Sequence, residues 1–299
     1  VTLILDQVSK KFADVQAVQR INLKLPKGEI FGIVGANGAG KTTTFRMILG
    51  LIEPSEGKIT WEGNQFKNVV SSKIGYLPEE RGLYPKLKVK DQLIYLGRLR
   101  GMKRQEVVRQ VRYWLDRFNV PEFYTKKPES LSKGNQQKIQ FIAAVMHRPE
   151  LLILDEPFSG LDPLNVALLK NAVVDLKNSG TSILFSSHRM EHVEELCEHI
   201  SILHRGQQVV HGSLKEVKRD FGKLNVTVHA DFSLHDFRDY EGVVHFMNTA
   251  EGAQFQIENE QTAQHLFQAL AESGFVRKFT LEEPSLNDIF LEKVGADDE

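Results

Sequence analysis

The chain has 299 residues, more than one hydrophobic core usually serves, so one large and one small domain are expected. Hydrophobic residues make up 41% and charged residues 26%, a globular balance, and no apolar run approaches the roughly eighteen residues of a membrane-spanning helix. The formal net charge of −1 conceals a step: residues 1–222 sum to +9 and residues 223–299 to −10, which places a domain boundary between them. The basic residues of the front part are scattered and not interleaved with aromatics, so they read as solvated helix faces, and no nucleic-acid partner is expected. A strand-like alternation opens the sequence in place of a charged, then apolar, then small-residue leader, so no secretory signal is expected. The single cysteine, Cys197, excludes an internal disulfide; its neighbours Val193, Leu196 and Ile200 mark it as a buried thiol on a packed helix face.

In chain order, Leu3, Leu5 and Val8 alternate, as do Ile21, Leu23 and Leu25, which predicts two strands before a turn at Pro26-Lys27-Gly28. Ile30–Val34 is a continuous apolar run of strand length, the pattern of a strand buried on both faces. A glycine-rich loop follows, then helical periodicity from Thr42 to Leu49, ended by Gly50. Residues 86–150 read as a helical insertion. Leu151–Leu154 and Ser182–Phe185 are short buried-strand candidates with a helix at about 163–178 between them, the alternation of a parallel sheet. From Leu224 the texture changes. Asn225–His229, Val243–Asn248, Gln254–Glu258 and Phe275–Leu281 read as strands, with helices at Thr262–Ala271 and Ser285–Lys293, the last opened by a Ser285/Asp288 cap. The expected architecture is an α/β domain over 1–221, with a helical subdomain at about 86–150, and a small acidic α+β domain over 222–299.

Two motifs carry chemistry. Gly35-Ala36-Asn37-Gly38-Ala39-Gly40-Lys41-Thr42 satisfies G-x-x-x-x-G-K-[ST] with a buried strand before it and a helix after. Glycines let the loop curl so that successive N–H groups face phosphate oxygens, and the helix adds its positive end. Lys41 reaches the β- and γ-phosphates, the Thr42 hydroxyl suits Mg²⁺, and Thr43 suits the α-phosphate. Leu151–Leu154 then delivers Asp155 and Glu156 at a strand end. Asp155 suits Mg²⁺, and Glu156 suits orienting or deprotonating an attacking water.

Five further segments narrow the choice. Leu131-Ser132-Lys133-Gly134-Asn135 resembles the LSGGQ signature of ATP-binding cassette (ABC) proteins, about twenty residues before the acidic strand. Ser159-Gly160-Leu161-Asp162 resembles the D-loop, His188 the switch histidine, Phe12 the adenine-stacking aromatic with Val18 beside the base, and Gly75-Tyr76-Leu77-Pro78-Glu79 the Q-loop. The resemblance spans about residues 1–220. It implies a P-loop NTPase fold of the ABC type with ATP and Mg²⁺ as cofactors. It also implies a head-to-tail homodimer in which Ser132, Gly134 and Asn135 address the γ-phosphate of the partner copy. Asp162 would link the two sites, and His188 would contact the γ-phosphate. Lys133 stands where the signature has Gly, Asn135 where it has Gln, and Glu79 where the Q-loop has Gln; a carboxylate there is a candidate third metal ligand.

Together with Leu77-Pro78-Glu79-Glu80-Arg81-Gly82-Leu83-Tyr84-Pro85 and the closing Glu283-Pro284-Ser285-Leu286-Asn287-Asp288, these segments are similar to bacterial sodium-extrusion-type ATPase subunits with a small C-terminal domain. That similarity implies a separate integral membrane permease, export, and a peripheral place on the cytoplasmic face of the cell membrane. A soluble ABC-type ATPase acting on ribosomes or DNA is the alternative, although such chains carry two cassettes or a long coiled-coil insertion. The cargo does not follow from either reading.

Overall fold

The computed structural model describes residues 3–65, 71–80 and 82–295; Arg81 of the motif above lies outside them. The chain divides into two compact units, Val1–His211 and Gly212–Glu299. The division falls one helix earlier than the charge step suggests, because the helix Leu214–Phe221 belongs to the second unit. The first unit holds 30 basic and 22 acidic side chains, the second 8 and 17.

The first unit is α/β. Strands β1 (Leu3–Phe12), β2 (Val15–Leu25), β4 (Glu56–Trp61) and β5 (Asn64–Gln65) form an antiparallel sheet in the order β2-β1-β4-β5. Leu3 and Leu5, and Ile21, Leu23 and Leu25, are buried at period-two spacing, whereas Val8 is buried through an irregularity after Leu5, where Gln7 adopts φ +51°. A second sheet of six strands runs β10-β9-β3-β8-β7-β6, with β3 Ile30–Val34, β6 Ile74–Leu77, β7 Leu151–Asp155, β8 Ser182–Ser187, β9 His199–His204 and β10 Gln207–Ser213. β3, β7 and β8 are buried throughout. All pairings from β9 across to β6 are parallel.

Between β6 and β7 lies the expected helical insertion, with α2 (Val89–Leu99), α3 (Arg104–Arg117) and α4 (Lys133–Val145). Helix α1 (Lys41–Ile48) follows β3, α5 (Pro163–Asn178) joins β7 to β8, and α6 (Met190–Leu196) joins β8 to β9. Cys197 is buried, but it caps α6 instead of lying on its face; a Cβ at Gly32 of β3 would stand 2.9 Å from its sulfur.

Register sets the site. Val34 pairs with Ser187 and Asp155 with Ser186, so β3, β8 and β7 end level with one another. The loops leaving their C-terminal ends therefore open side by side, where parallel α/β sheets place their ligands.

The second unit opens with α7 (Leu214–Phe221) and adds β11 (Leu224–Ala230), β12 (Val243–Thr249), β13 (Gly252–Ile257), α8 (Glu260–Ser273), β14 (Val276–Glu282) and α9 (Leu286–Gly295). Its antiparallel sheet, β12-β13-β11-β14, buries Val226, Val228 and Phe255 against Ala263, Leu266 and Leu270 of α8. Ser285 and Asp288 form the expected cap reciprocally, each backbone N–H donating to the other's side chain at 2.9 and 3.1 Å. Among the described residues no helix is long and apolar enough to cross a membrane.

Candidate functional site

The loop from Gly35 to Gly40 leaves β3 and feeds α1. Its three glycines are each constrained: a Cβ at Gly35 would stand 2.4 Å from the Leu203 carbonyl oxygen. A Cβ at Gly40 (φ +106°) would stand 2.7 Å from the Ala17 carbonyl oxygen, and Gly38 adopts φ +81°. Thr44 N–H donates to Gly40 O at 2.9 Å, so the N–H groups of Lys41, Thr42 and Thr43 lie at the open helix end, where anions are favoured. Lys41 is buried and its ammonium turns back into the loop, donating to Gly35 O at 2.7 Å and Ala36 O at 3.1 Å. A groove of 320 Å³ is lined by Asn37, Gly38, Ala39, Gly40, Lys41, Thr42 and Thr43, closed by Ala17, Glu79 and Glu156.

The ends of β7 and β8 supply the acidic side. Asp155, fully buried, accepts from the Ser186 hydroxyl at 2.6 Å and from the Thr42 hydroxyl at 3.2 Å. Thr42 and Asp155 thus stand together, as the sequence predicts. Ser186 was not foreseen; its only signal is a hydroxyl at the end of a strand neighbouring the acidic one. Glu156 follows in a left-handed conformation (φ +50°), its N–H donating to the Ser186 hydroxyl at 3.2 Å. Its carboxylate is buried: Oε2 lies 2.9 Å from Nδ1 of the half-exposed His188, and Oε1 has no hydrogen-bond partner among the described residues. Burial raises the Glu156 pKa above its ordinary value; the His188 hydrogen bond and the Lys41 charge pull the other way, and Asp155 adds to the rise. Tyr76, on β6 beside β7, is pushed up to about 12 by burial and then by the Asp155 charge.

Other predicted residues lie around this centre. Phe12 is exposed at the end of β1, with the Lys10 ammonium 5.0 Å from its ring centre. Val18 is buried and would touch a Cβ at Gly40, 3.2 Å away. Glu79 is exposed at the rim of the groove. Ser132, Gly134, Asn135 and Asp162 do not line the groove and form a second cluster. Ser132 caps α4, accepting from Asn135 N–H at 3.3 Å, while Asp162 caps α5, accepting from Asn165 N–H at 3.0 Å. A Cβ at Gly134 would meet Leu161 at 3.1 Å, so the starts of the two helices abut. The Asn165 N–H bond lowers the Asp162 pKa. Lys133 is exposed.

These donors suit a nucleotide with a divalent ion. Among the described residues no group of three or more His, Cys, Asp or Glu could hold a metal unaided. One hydroxyl and one carboxylate at 3.2 Å fit a hard cation whose remaining ligands are phosphate oxygens and water.

Comparison with known proteins agrees with the geometry. A family described as ABC transporter matches residues 18–159, and one described as the C-terminal domain of DrrA1-3-like ATP-binding proteins matches residues 212–294. The chain is 61% identical to YhaQ of Bacillus subtilis, an uncharacterized ABC transporter ATP-binding protein, over 98% of this chain and 99% of the relative. It is 30% identical to the bacitracin transport ATP-binding protein BcrA of Bacillus licheniformis, over 96% and 95%. A solved ATP-binding subunit of an ABC transporter superposes with a TM-score of 0.70 at 31% identity, covering 74% of this chain and 94% of that one. The expected fold and family resemblance are borne out. None of these relatives supports the alternative of a ribosome- or DNA-associated role.

Proposed function

The chain belongs to the ABC transporter family of ATP-binding subunits, ATPases that dimerise and work with a membrane permease, and from that premise we propose a division of labour among its residues. The N–H groups of the Gly35–Thr43 loop and α1 hold the phosphates of ATP, with Lys41 on the β- and γ-phosphates and Phe12 stacked on adenine beside Val18. Thr42 and Asp155 hold Mg²⁺, with Glu79 as a third ligand from the rim. When bound, the ion neutralises phosphate charge. Glu156 accepts the proton of a water as that water's oxygen bonds to the γ-phosphorus and ADP departs, while His188 orients the carboxylate. Ser132, Gly134 and Asn135 complete the site of a second copy, head to tail, and Asp162 links the two. Exposed Tyr84, Leu87, Tyr95 and Leu99, at and before α2, suit docking to the permease. Export across the cell membrane from its cytoplasmic face is the transport reading, in keeping with a full-length relative named for bacitracin transport.

The observation that carries the reading is the buried Glu156 carboxylate, held through Oε2 by His188 with Oε1 still able to accept, beside the Lys41–Thr42–Asp155 cluster. Glu156→Gln is expected to lower kcat by about 10²–10⁴-fold while ATP binding persists. Unchanged turnover would move the base elsewhere.

A further inference from the structure

Helix α4 carries two buried glutamines, Gln137 and Gln140, each 5% exposed. Three residues apart, they share one face of the helix. The Gln137 amide donates to Pro157 O at 3.1 Å, directly after Glu156. The Gln140 amide donates to Glu80 O at 3.2 Å, directly after Glu79. One helix face is thus tied to both loops that bring a carboxylate to the groove.

Gln140 is not explained by packing. Its Oε1 is buried and has no hydrogen-bond partner among the described residues, whereas a leucine or methionine would fill the place without stranding an oxygen. What the amide adds is a donor aimed at the Glu80 carbonyl. The other end of the same helix begins at Ser132 and abuts Leu161 through Gly134. A helix is stiff over thirteen residues, so a displacement of either carboxylate loop is carried along α4 to its first turn.

We propose that Gln140, with Gln137 beside it, is a positioning residue that couples the nucleotide groove of one copy to the Ser132–Asn135 segment it presents to the other. The proposal rests on the composite, two-copy reading above. Occupancy of the groove moves the Glu79–Glu80 and Glu156–Pro157 loops, and the two amide bonds pass that movement to the segment serving the opposite site. ATP bound in one copy thereby favours closure over the other.

The test uses the full chain carrying Glu156→Gln, so that ATP persists. ATP affinity is read by fluorescent ATP at protein concentrations too low for pairing, ATP-driven dimerisation by light scattering, and folding by thermal melting. Adding Gln140→Leu is expected to leave affinity and melting temperature unchanged and to raise the ATP concentration for half-dimerisation about tenfold. Gln140→Met carries the same test should the leucine variant fail to fold. Dimerisation at the parent's ATP concentration overturns the coupling, as does a parallel fall in melting temperature and affinity, which marks a purely structural role. A parent that binds ATP and stays monomeric overturns the two-copy reading itself, and the coupling with it.

Discussion

Glu156 is a carboxylate whose surroundings oppose its charge. Burial lifts its pKa above the ordinary 4.5, so between the unfolded and folded values the native chain holds a proton that the unfolded chain has released. Stability therefore falls as pH rises through that interval: the contribution is full below the unfolded value and lost above the folded one. Glu156→Gln keeps the shape and removes the cost. It is expected to melt higher than the parent at pH 8, with the gap closing toward pH 4.5, in melts at both pH values. The same shift predicts an acid limb of kcat/KM whose midpoint lies above 4.5, and a kcat/KM profile flat down to that value would contradict it. Gly40 shows the opposite economy, a site that admits no side chain at all. Gly40→Ala brings a methyl within 2.7 Å of Ala17 O at φ +106°, and is expected to cost about 1–3 kcal/mol with loss of ATP binding, read by denaturant titration and fluorescent ATP.

At the scale of elements, α4 is seated by a glycine on the sheet. A Cβ at Gly75 of β6 would lie 2.2 Å from Ala144 O, near the end of α4. Gly75→Ala must push strand and helix apart, and is expected to destabilise by about 1–3 kcal/mol in urea titration. This contact also shows how far the sequence is legible. Gly75 was visible as part of a segment resembling the Q-loop, but only packing reveals why a glycine is needed there. The buried strands β3, β7 and β8 and helix α5 could be read because continuous apolar runs and helical periodicity are local signals. The phosphate loop could be read because glycine spacing and Lys41-Thr42 are local as well. Ser186 could not, since its part depends on the register that sets it opposite Asp155, and register is a property of two strands. Ala17 was missed for a like reason: its carbonyl meets Gly40 from a different sheet. The unit boundary was displaced because charge changes after α7, whereas contacts change before it.

At the scale of the molecule, each unit closes its own core: β1–β4 with α1 and its neighbours in the first, the β11–β14 sheet with α8 in the second. Two thermal transitions are expected in calorimetry of the full chain. A ligand that binds only the first unit raises only that unit's stability, by about 2.7 kcal/mol at a hundredfold excess over Kd. With ATP and the Glu156→Gln chain, one transition should climb and the other stay in place. A single peak that shifts as a whole would show that the units unfold together.

The ammonium of Lys41 gives the last consequence. It donates to the carbonyls of Gly35 and Ala36, so under the proposed role a phosphate takes the place of those bonds and does not relieve a stranded charge. Under the proposed role, a phosphate that leaves hands the ammonium back to those two carbonyls, so at this residue binding is a reversible exchange of partners.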